Sequence, residues 1–395
     1  MNEAVIVSAC RTAIGAFGET LSSVSAVSLG AAVIAETVRR AGVSPHAAEQ
    51  VILGQVLPAG LGQHPARQAA LQAGLPIDVA AASVNKMCGS GLHAVCLAAQ
   101  AVRNGEADIV IAGGMENMRQ SPYLLPKARF GLRLGHGQVT DSMIQDGLWD
   151  VSNNYHMGIT AENLAEQYGI SRQQQDAFAA ASQDNYAAAA AAGAFDEEIV
   201  PIAIPQGKKE PILFKQDEHP RAGTTVDKLA SLKPAFKKDG TVTAGNASGI
   251  NDGAAAVMVM SASQAQSRGL RPLATIRAYA SAGVPAAVMG IGPVSAARKA
   301  LAKATLSLDD IDLMEFNEAF SAQCLAVGKD LRWNPDKVNV HGGAIALGHP
   351  IGASGARILV TLLHAMVRRN VHYGLAALCI GGGEGIAMII ERNPS

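Results

Sequence analysis

Asn85-Lys86-Met87-Cys88-Gly89-Ser90-Gly91 leads into apolar residues at helical spacing, Leu92, Val95, Cys96, Ala99 and Val102. A short apolar strand follows, Ile109-Val110-Ile111, ending in Gly113-Gly114. The chain uses this pattern twice. Ala353-Ser354-Gly355 opens a second helix, with Leu359, Leu362, Leu363 and Met366, and an apolar strand at 375–380 then ends in Gly381-Gly382. Gly91 and Gly355 are 264 residues apart, and Gly113 and Gly381 are 268 apart. An earlier stretch repeats as well: a helix ending near Arg40, then Gly42-Val43-Ser44 and Val51-Ile52-Leu53, is matched by a helix ending near Lys303, then Leu306-Ser307 and Leu313-Met314-Glu315-Phe316. Ser44 and Ser307 are 263 residues apart. A near-constant offset marks an internal duplication. Helical periods alternating with short apolar strands predict two α/β halves built on mostly parallel sheets covered by helices.

Between the halves, residues 120–249 differ in character. They open with a basic, glycine-bearing segment at 127–137, continue through helix-rich sequence at 159–192, and end in a Pro/Lys-rich run at 201–238. Such an excursion from a sheet is where substrate contacts usually sit. At 395 residues the chain exceeds one ordinary core. Charged residues are only 16% and the formal net charge is −1, so no electrostatic footprint for nucleic acid or a membrane surface is present. Five cysteines without short paired spacings argue against a disulfide framework and fit a reducing compartment. No run reaches the ~18 apolar residues of a membrane span. Glu3 stands before the first apolar strand without a basic lead, and Asn393-Pro394-Ser395 is not a peroxisomal address, so the expected location is the cytoplasm.

Cys88 sits just ahead of a helix behind a glycine turn. The partial positive charge of unpaired N–H groups at a helix start favours a thiolate, which makes this a suitable place for a nucleophile. A cysteine is also a common small buried hydrophobe, and the turn alone leaves both readings open. Three further elements bear on the choice: Asn317-Glu318-Ala319-Phe320, then Gly348-His349-Pro350-Ile351-Gly352-Ala353-Ser354-Gly355, then Cys379-Ile380-Gly381-Gly382-Gly383-Glu384-Gly385. With Cys88 they supply an imidazole, a second thiol and a side-chain amide. The duplication puts Cys88 and His349 at equivalent loop-to-helix corners, which converge if the halves pack about a pseudo-two-fold. Making or breaking a carbon–carbon bond beside a thioester needs an acyl acceptor, a base for the α-carbon and donors for two oxyanions.

With these four motifs in this order, and Val5-Ile6-Val7-Ser8-Ala9-Cys10-Arg11-Thr12 at the start, the chain resembles the thiolases, most closely the short biosynthetic type, over essentially its whole length. The resemblance implies a layered α-β-α-β-α fold. Its N-terminal half comprises 1–119 and 250–271, its loop domain 120–249 and its C-terminal half 272–395. It implies a reversible Claisen condensation of two acetyl-CoA to acetoacetyl-CoA plus CoA. Cys88 would become acetylated, His349 would take its proton, and Cys379 would remove a proton from the second acetyl group. His349 and a water positioned by Asn317 would hold the enolate oxygen, and the amides of Cys88 and Gly381 the tetrahedral intermediate. Coenzyme A contacts carried over by resemblance are Leu148, His156, Met157, Arg221, Ser248, Ala319 and Phe320. The implied enzyme uses no metal or cofactor beyond coenzyme A thioesters, and is a homotetramer, a dimer of dimers, with its tetramer contact within 120–142. Met289 would help close a short acyl pocket. Arg119-Gln120 and Phe316 depart from the family pattern, and either could alter packing beside the loop domain or the site.

Other readings have their own marks. A ketoacyl or hydroxymethylglutaryl-type synthase would not use a cysteine at 379 as carbon base. Against a broad-range degradative thiolase, Met289 in Met289-Gly290-Ile291-Gly292-Pro293 resembles short-chain biosynthetic members, and a non-catalytic acyl-CoA-binding protein would have lost one of Cys88, His349 and Cys379. Zinc suits the ligand types of those three residues, but no short-spaced pair supports it and the metal would occupy the thiol to be acylated. His64, His136 and His341 read as surface or loop polar groups, and Cys10, Cys96 and Cys324 as packing residues.

Overall fold

A computed structural model describes residues 2–394; Met1 and Ser395, the latter closing the C-terminal tripeptide read above, lie outside the described residues. In chain order come β1 (Ala4–Thr12), α1 (Ala26–Ala41), β2 (Gln50–Gly54), α2 (Pro65–Gln72), β3 (Ala80–Val84), α3 (Ser90–Asn104) and β4 (Ile109–Asn117). An excursion holding α4 (Met157–Tyr168) and α5 (Arg172–Ala191) follows. The chain then resumes with β5 (Asn251–Ser261), β6 (Ala274–Gly283), α6 (Gly292–Ala304), β7 (Leu313–Phe316), α7 (Ser321–Leu331), α8 (Ser354–Arg369), β8 (Tyr373–Ile380) and β9 (Glu384–Glu391). Local sequence sets the helix ends. Ser25 caps α1 by accepting from Ser28 N–H, and Gly42 ends it at φ +66°, a left-handed conformation that glycine reaches without strain.

The strands run β3-β2-β4-β5-β1 in the first half and β6-β9-β8-β7 in the second. Only a short antiparallel pairing, Val5 with Thr275 and Ile6 with Ala274, links the two. The halves match strand for strand: β1 with β6, β2 with β7, β4 with β8 and β5 with β9. Even β3 has a remnant, because Met314 of β7 bridges Val338 in parallel as Ile52 of β2 pairs Ala82 of β3. The expectation of mostly parallel sheets needs correction. Parallel pairs occur at β2–β3, β2–β4 and β7–β8, whereas the centre of each half is antiparallel. The cause is connection length. β8 reaches β9 through Gly381–Gly383 alone, and so short a turn can join only antiparallel strands. In the first half the long excursion takes the place of that turn between β4 and β5, so the 120–249 region is an enlarged hairpin loop.

Alternate residues of each strand feed different cores. Ile109 and Ile111 of β4 pack with Leu29, Val33 and Ile34 of α1, while Val110 and Ala112 join Leu92, Val95 and Val102 of α3. That second core also takes Leu359, Leu362 and Met366 of α8 and Leu378 and Ile380 of β8, so α3 and α8 lie between the two sheets. On the far side, Val294, Ala297 and Leu301 of α6 pack on Leu375, Ala377 and Ile389. Three apolar cores around two sheets make five layers, α-β-α-β-α.

The two central helices meet main chain to main chain. A Cβ at Gly91 would stand 2.7 Å from Ala356 N, and one at Gly355 would stand 2.4 Å from Leu92 N, so the duplicated glycines are what let the helix starts touch. The excursion is pinned to this body by charge. Arg11, fully buried, pairs with Glu198 at 2.5 Å and holds Asp217 bidentately at 2.6 and 2.9 Å. Removing one partner of such a pair typically costs about 3–5 kcal/mol, since the other is left buried and unpaired. The 201–238 run is more ordered than its composition suggests. It contains a hairpin, Ile202–Gln206 with Lys209–Phe214, and a short helix, Val226–Ala230.

Candidate active site

Helix α3 begins at Ser90, so Cys88 sits two residues before it in a tight turn. Gly89 N–H donates to Lys86 O, Ser90 N–H to Met87 O, and Lys86 N–H to Ser90 Oγ at 2.8 Å. Met87 adopts φ +48°, which costs a residue with a Cβ about 1–2 kcal/mol and is sustained by these bonds. The preference of the helix start for a thiolate meets an opposing effect. Burial pushes the Cys88 thiol up to about 11, and hydrogen bonds from the N–H groups of Gly381 and Cys88 itself only partly oppose it. Desolvation is the largest of these effects. The two amides assigned by resemblance to an oxyanion therefore converge on this sulfur.

His349 is buried, and burial, then the charge of Arg357, lowers its imidazole to about 3, so it is neutral at pH 7. Its backbone N–H donates to Asn251 Oδ1 at 2.9 Å. Ser354 Oγ lies 2.5 Å from His349 Nδ1 and donates its own proton to Pro350 O at 2.8 Å. A hydroxyl has one proton, so Ser354 accepts from Nδ1–H and leaves Nε2 as the ring's acceptor. Asn317 Nδ2 approaches that Nε2 at 3.4 Å. Ser354 was readable as the first residue of α8, but nothing in the sequence pointed its hydroxyl at the imidazole.

Cys379, at the end of β8, is fully buried among Met157, Met289, Ala319 and Phe320. Burial raises its thiol above the ordinary range, and the charge of Cys88 raises it further, so the two sulfurs sense each other. The resting site thus holds two thiols and a neutral imidazole. The glycines after Cys379 serve the backbone. Gly382 and Gly383 have φ of +89° and +94°, whereas a Cβ at Gly381 would make only ordinary contacts with Met157 and Met87 at 3.6 Å. Lys86 pairs with Glu384, linking the Cys88 turn to the glycine turn.

One cavity of about 540 Å³ is lined by Cys88, His349 and Gly381 together with Leu148, His156, Met157, Arg221, Ser248, Ala319 and Phe320. Ten of the twelve residues singled out from sequence share its wall; Cys379 and Asn317 lie behind it, in contact with those that do. His156 caps α4 by accepting from Gly158 N–H at 3.0 Å, and its ring stacks on Phe236 at 4.7 Å. Phe236 meets Phe320 edge to face, completing an aromatic wall that sequence reading missed because Phe236 lies in the lysine-rich run. His219 was missed too; it lines the cavity, and burial lowers it to about 4. Glu318 sits inside a quoted motif but was given no role. It is buried and accepts from Ser182 Oγ, Asn339 Nδ2 and Ile345 N–H, fixing the segment that leads to His349.

Arg119 is exposed, and Phe316 packs away from the site on Trp333, with ring centroids 4.7 Å apart. Cys10, Cys96 and Cys324 are buried packing residues, and His64 and His136 are exposed as expected. His341 is not a surface group: it is in a loop but buried, with its ring edge on Phe195. Among the described residues, no group of three or more His, Cys, Asp or Glu side chains is placed to hold a metal ion.

Residues 4–263 match the thiolase N-terminal domain, and residues 270–392 match the thiolase C-terminal domain. Fold, site and these matches make the chain an acyltransferase by class. It belongs to the thiolase family. It is 61% identical over 393 residues to an acetyl-CoA acetyltransferase of Pseudomonas aeruginosa, with 100% of each chain covered. It is 60% identical to one of Escherichia coli, covering 99% of this chain and 100% of that one. The crystal structure of a Bacillus anthracis acetyl-CoA acetyltransferase superposes with a TM-score of 0.97 at 48% identity, covering 99% of both chains.

Proposed function

We propose that the protein is an acetyl-CoA acetyltransferase, converting two acetyl-CoA reversibly to acetoacetyl-CoA and CoA through an acetyl group on Cys88. The observation that carries this reading is the convergence of the Cys88 thiol, the His349 imidazole and the Gly381 N–H on one cavity wall, with Cys379 directly behind. His349 Nε2 takes the Cys88 proton as the sulfur attacks the thioester carbon. The Cys88 and Gly381 amides hold the oxyanion, and CoA leaves with the proton of Cys379. That leaves an imidazolium and a Cys379 thiolate, which removes the α-proton of a second acetyl-CoA while the imidazolium, with a water held by Asn317, supports the enolate oxygen. The enolate carbon attacks acetyl-Cys88, and the released sulfur recovers its proton from His349. Protons balance, and no metal or prosthetic group is required. We place coenzyme A along Leu148, His156, Met157, Arg221, Ser248, Ala319 and Phe320, covered by the 120–249 domain.

Met289 and Met157 both line this cavity, and we read them as closing its acyl end. CoA-dependent cleavage of acetoacetyl-CoA should therefore exceed that of 3-ketooctanoyl-CoA by about tenfold or more, the scale of a few misfit methylenes. Equal rates would overturn the short-chain assignment.

The same reading makes the enzyme a cytoplasmic homotetramer. Five unpaired cysteines fit a reducing compartment, and no helix among the described residues is long and apolar enough to cross a membrane. Within 120–142, Phe130 is 84% and Leu134 101% exposed, an apolar display typical of a contact surface. Deleting residues 127–137 should leave a folded dimer by light scattering. An unchanged tetramer would remove this segment from the contact.

A further inference from the structure

The chemistry proposed above makes no use of Glu116, yet its carboxylate sits where the two halves meet. It is fully buried at the end of β4. Its Oε2 accepts from Val56 N–H and Gly352 N–H, both at 2.9 Å, and its Oε1 accepts from Leu57 N–H at 3.2 Å. Val56 and Leu57 follow β2 in the first half and share an apolar cluster with Cys88 and Ile351. Gly352 belongs to the second half, three residues after His349. A Cβ at Gly352 would stand 2.5 Å from Oε2, so the loop backbone rests directly on the carboxylate. Asn251 holds His349 N–H on the near side of Pro350, and Glu116 holds Gly352 N–H on the far side. The imidazole loop is thus fastened at two points, one of which also grips the Cys88 side. Glu116 does not line the cavity.

We propose that Glu116 is a positioning residue, setting His349 against Cys88 through the backbone of Gly352 and Val56-Leu57. The inference rests on the reading of Cys88 and His349 as the reacting pair. In Glu116→Gln one acceptor becomes an NH₂ donor, and whichever oxygen is replaced, that donor faces a main-chain N–H. The loop must shift, and displacement of a reacting group by a fraction of an ångström lowers kcat by about tenfold or more. KM should stay within about twofold, because none of the residues placed against coenzyme A above lies on the shifted loop.

The test is a cycle of wild type, Glu116→Gln, His349→Ala and the double variant, with folding checked by circular dichroism and Cys88 acetylation followed by intact-protein mass spectrometry. Glu116→Gln should slow acetylation in the wild-type background but hardly at all beside His349→Ala, since a misplaced imidazole that is absent cannot matter. Equal slowing in both backgrounds, or wild-type kcat in folded Glu116→Gln, overturns the proposal. If Glu116→Gln does not fold, Glu116→Asp, which keeps the carboxyl group and shortens the reach, runs the same cycle. Wild-type acetylation in His349→Ala would instead sink the site reading itself.

Discussion

Cys88→Ser should abolish both acetyl transfer and carbon–carbon bond formation, with turnover falling by about 10³-fold or more. The size follows from what stands behind the imidazole. In serine hydrolases a buried carboxylate orients the histidine and stabilises the imidazolium, so that a hydroxyl can be ionised. Here the Nδ1 partner is the neutral Ser354 hydroxyl, and burial keeps the imidazole near 3. Such a base can receive a proton from a thiol near 11 only as the sulfur attacks and the Gly381 and Cys88 amides take up the developing charge. A serine hydroxyl is several units harder to ionise than a thiol, and nothing in the site makes up the difference. Acetyl-CoA should add no acetyl mass to the variant, and thiolysis of acetoacetyl-CoA should fail in parallel. A serine variant that accumulates the acetyl group would remove Cys88 from its role.

The duplication was readable because burial leaves a periodic record. Gly91 and Gly355, one repeat apart, turn out to be the two positions where the central helices touch backbone to backbone. Strand direction leaves no such record. A strand buried on both faces reads the same in a parallel or an antiparallel neighbourhood, so the hairpin made by Gly381–Gly383 and its enlarged counterpart in the first half came only from the structure. The chemistry divides in the same way. Cys88, His349 and Cys379 were singled out by their motifs and the resemblance those motifs carry, but their protonation depends on how much water the fold removes. Burial opposes the preference drawn from the helix start. Partners distant in sequence were equally silent: 236 residues separate Glu116 from Gly352, and Phe236 reaches His156 from a run that looked merely basic.

Cys379→Ala tests the separation of the two thiols by function. The variant should still accept an acetyl group, because Cys88, His349 and the Gly381 N–H are intact, and the imidazole can return the proton it took to the departing CoA. It should lose condensation, because no other described side chain with a suitable proton affinity lies beside Cys88. His349 is needed at the enolate oxygen and is lowered to about 3, and Cys324, the next thiol, is buried with its own proton held tightly. Loss of a positioned base from a carbon acid costs about 10²–10⁴-fold, which sets the expected drop in acetoacetyl-CoA formation. Removing one buried sulfur should cost only about 1 kcal/mol of stability, so the protein should remain folded for the assay. Intact-protein mass spectrometry should then find stoichiometric acetylation of a variant that no longer condenses. Near wild-type condensation by Cys379→Ala, or acetyl found on Cys379 in the unmodified enzyme, would show that the two sulfurs do not divide the reaction as proposed.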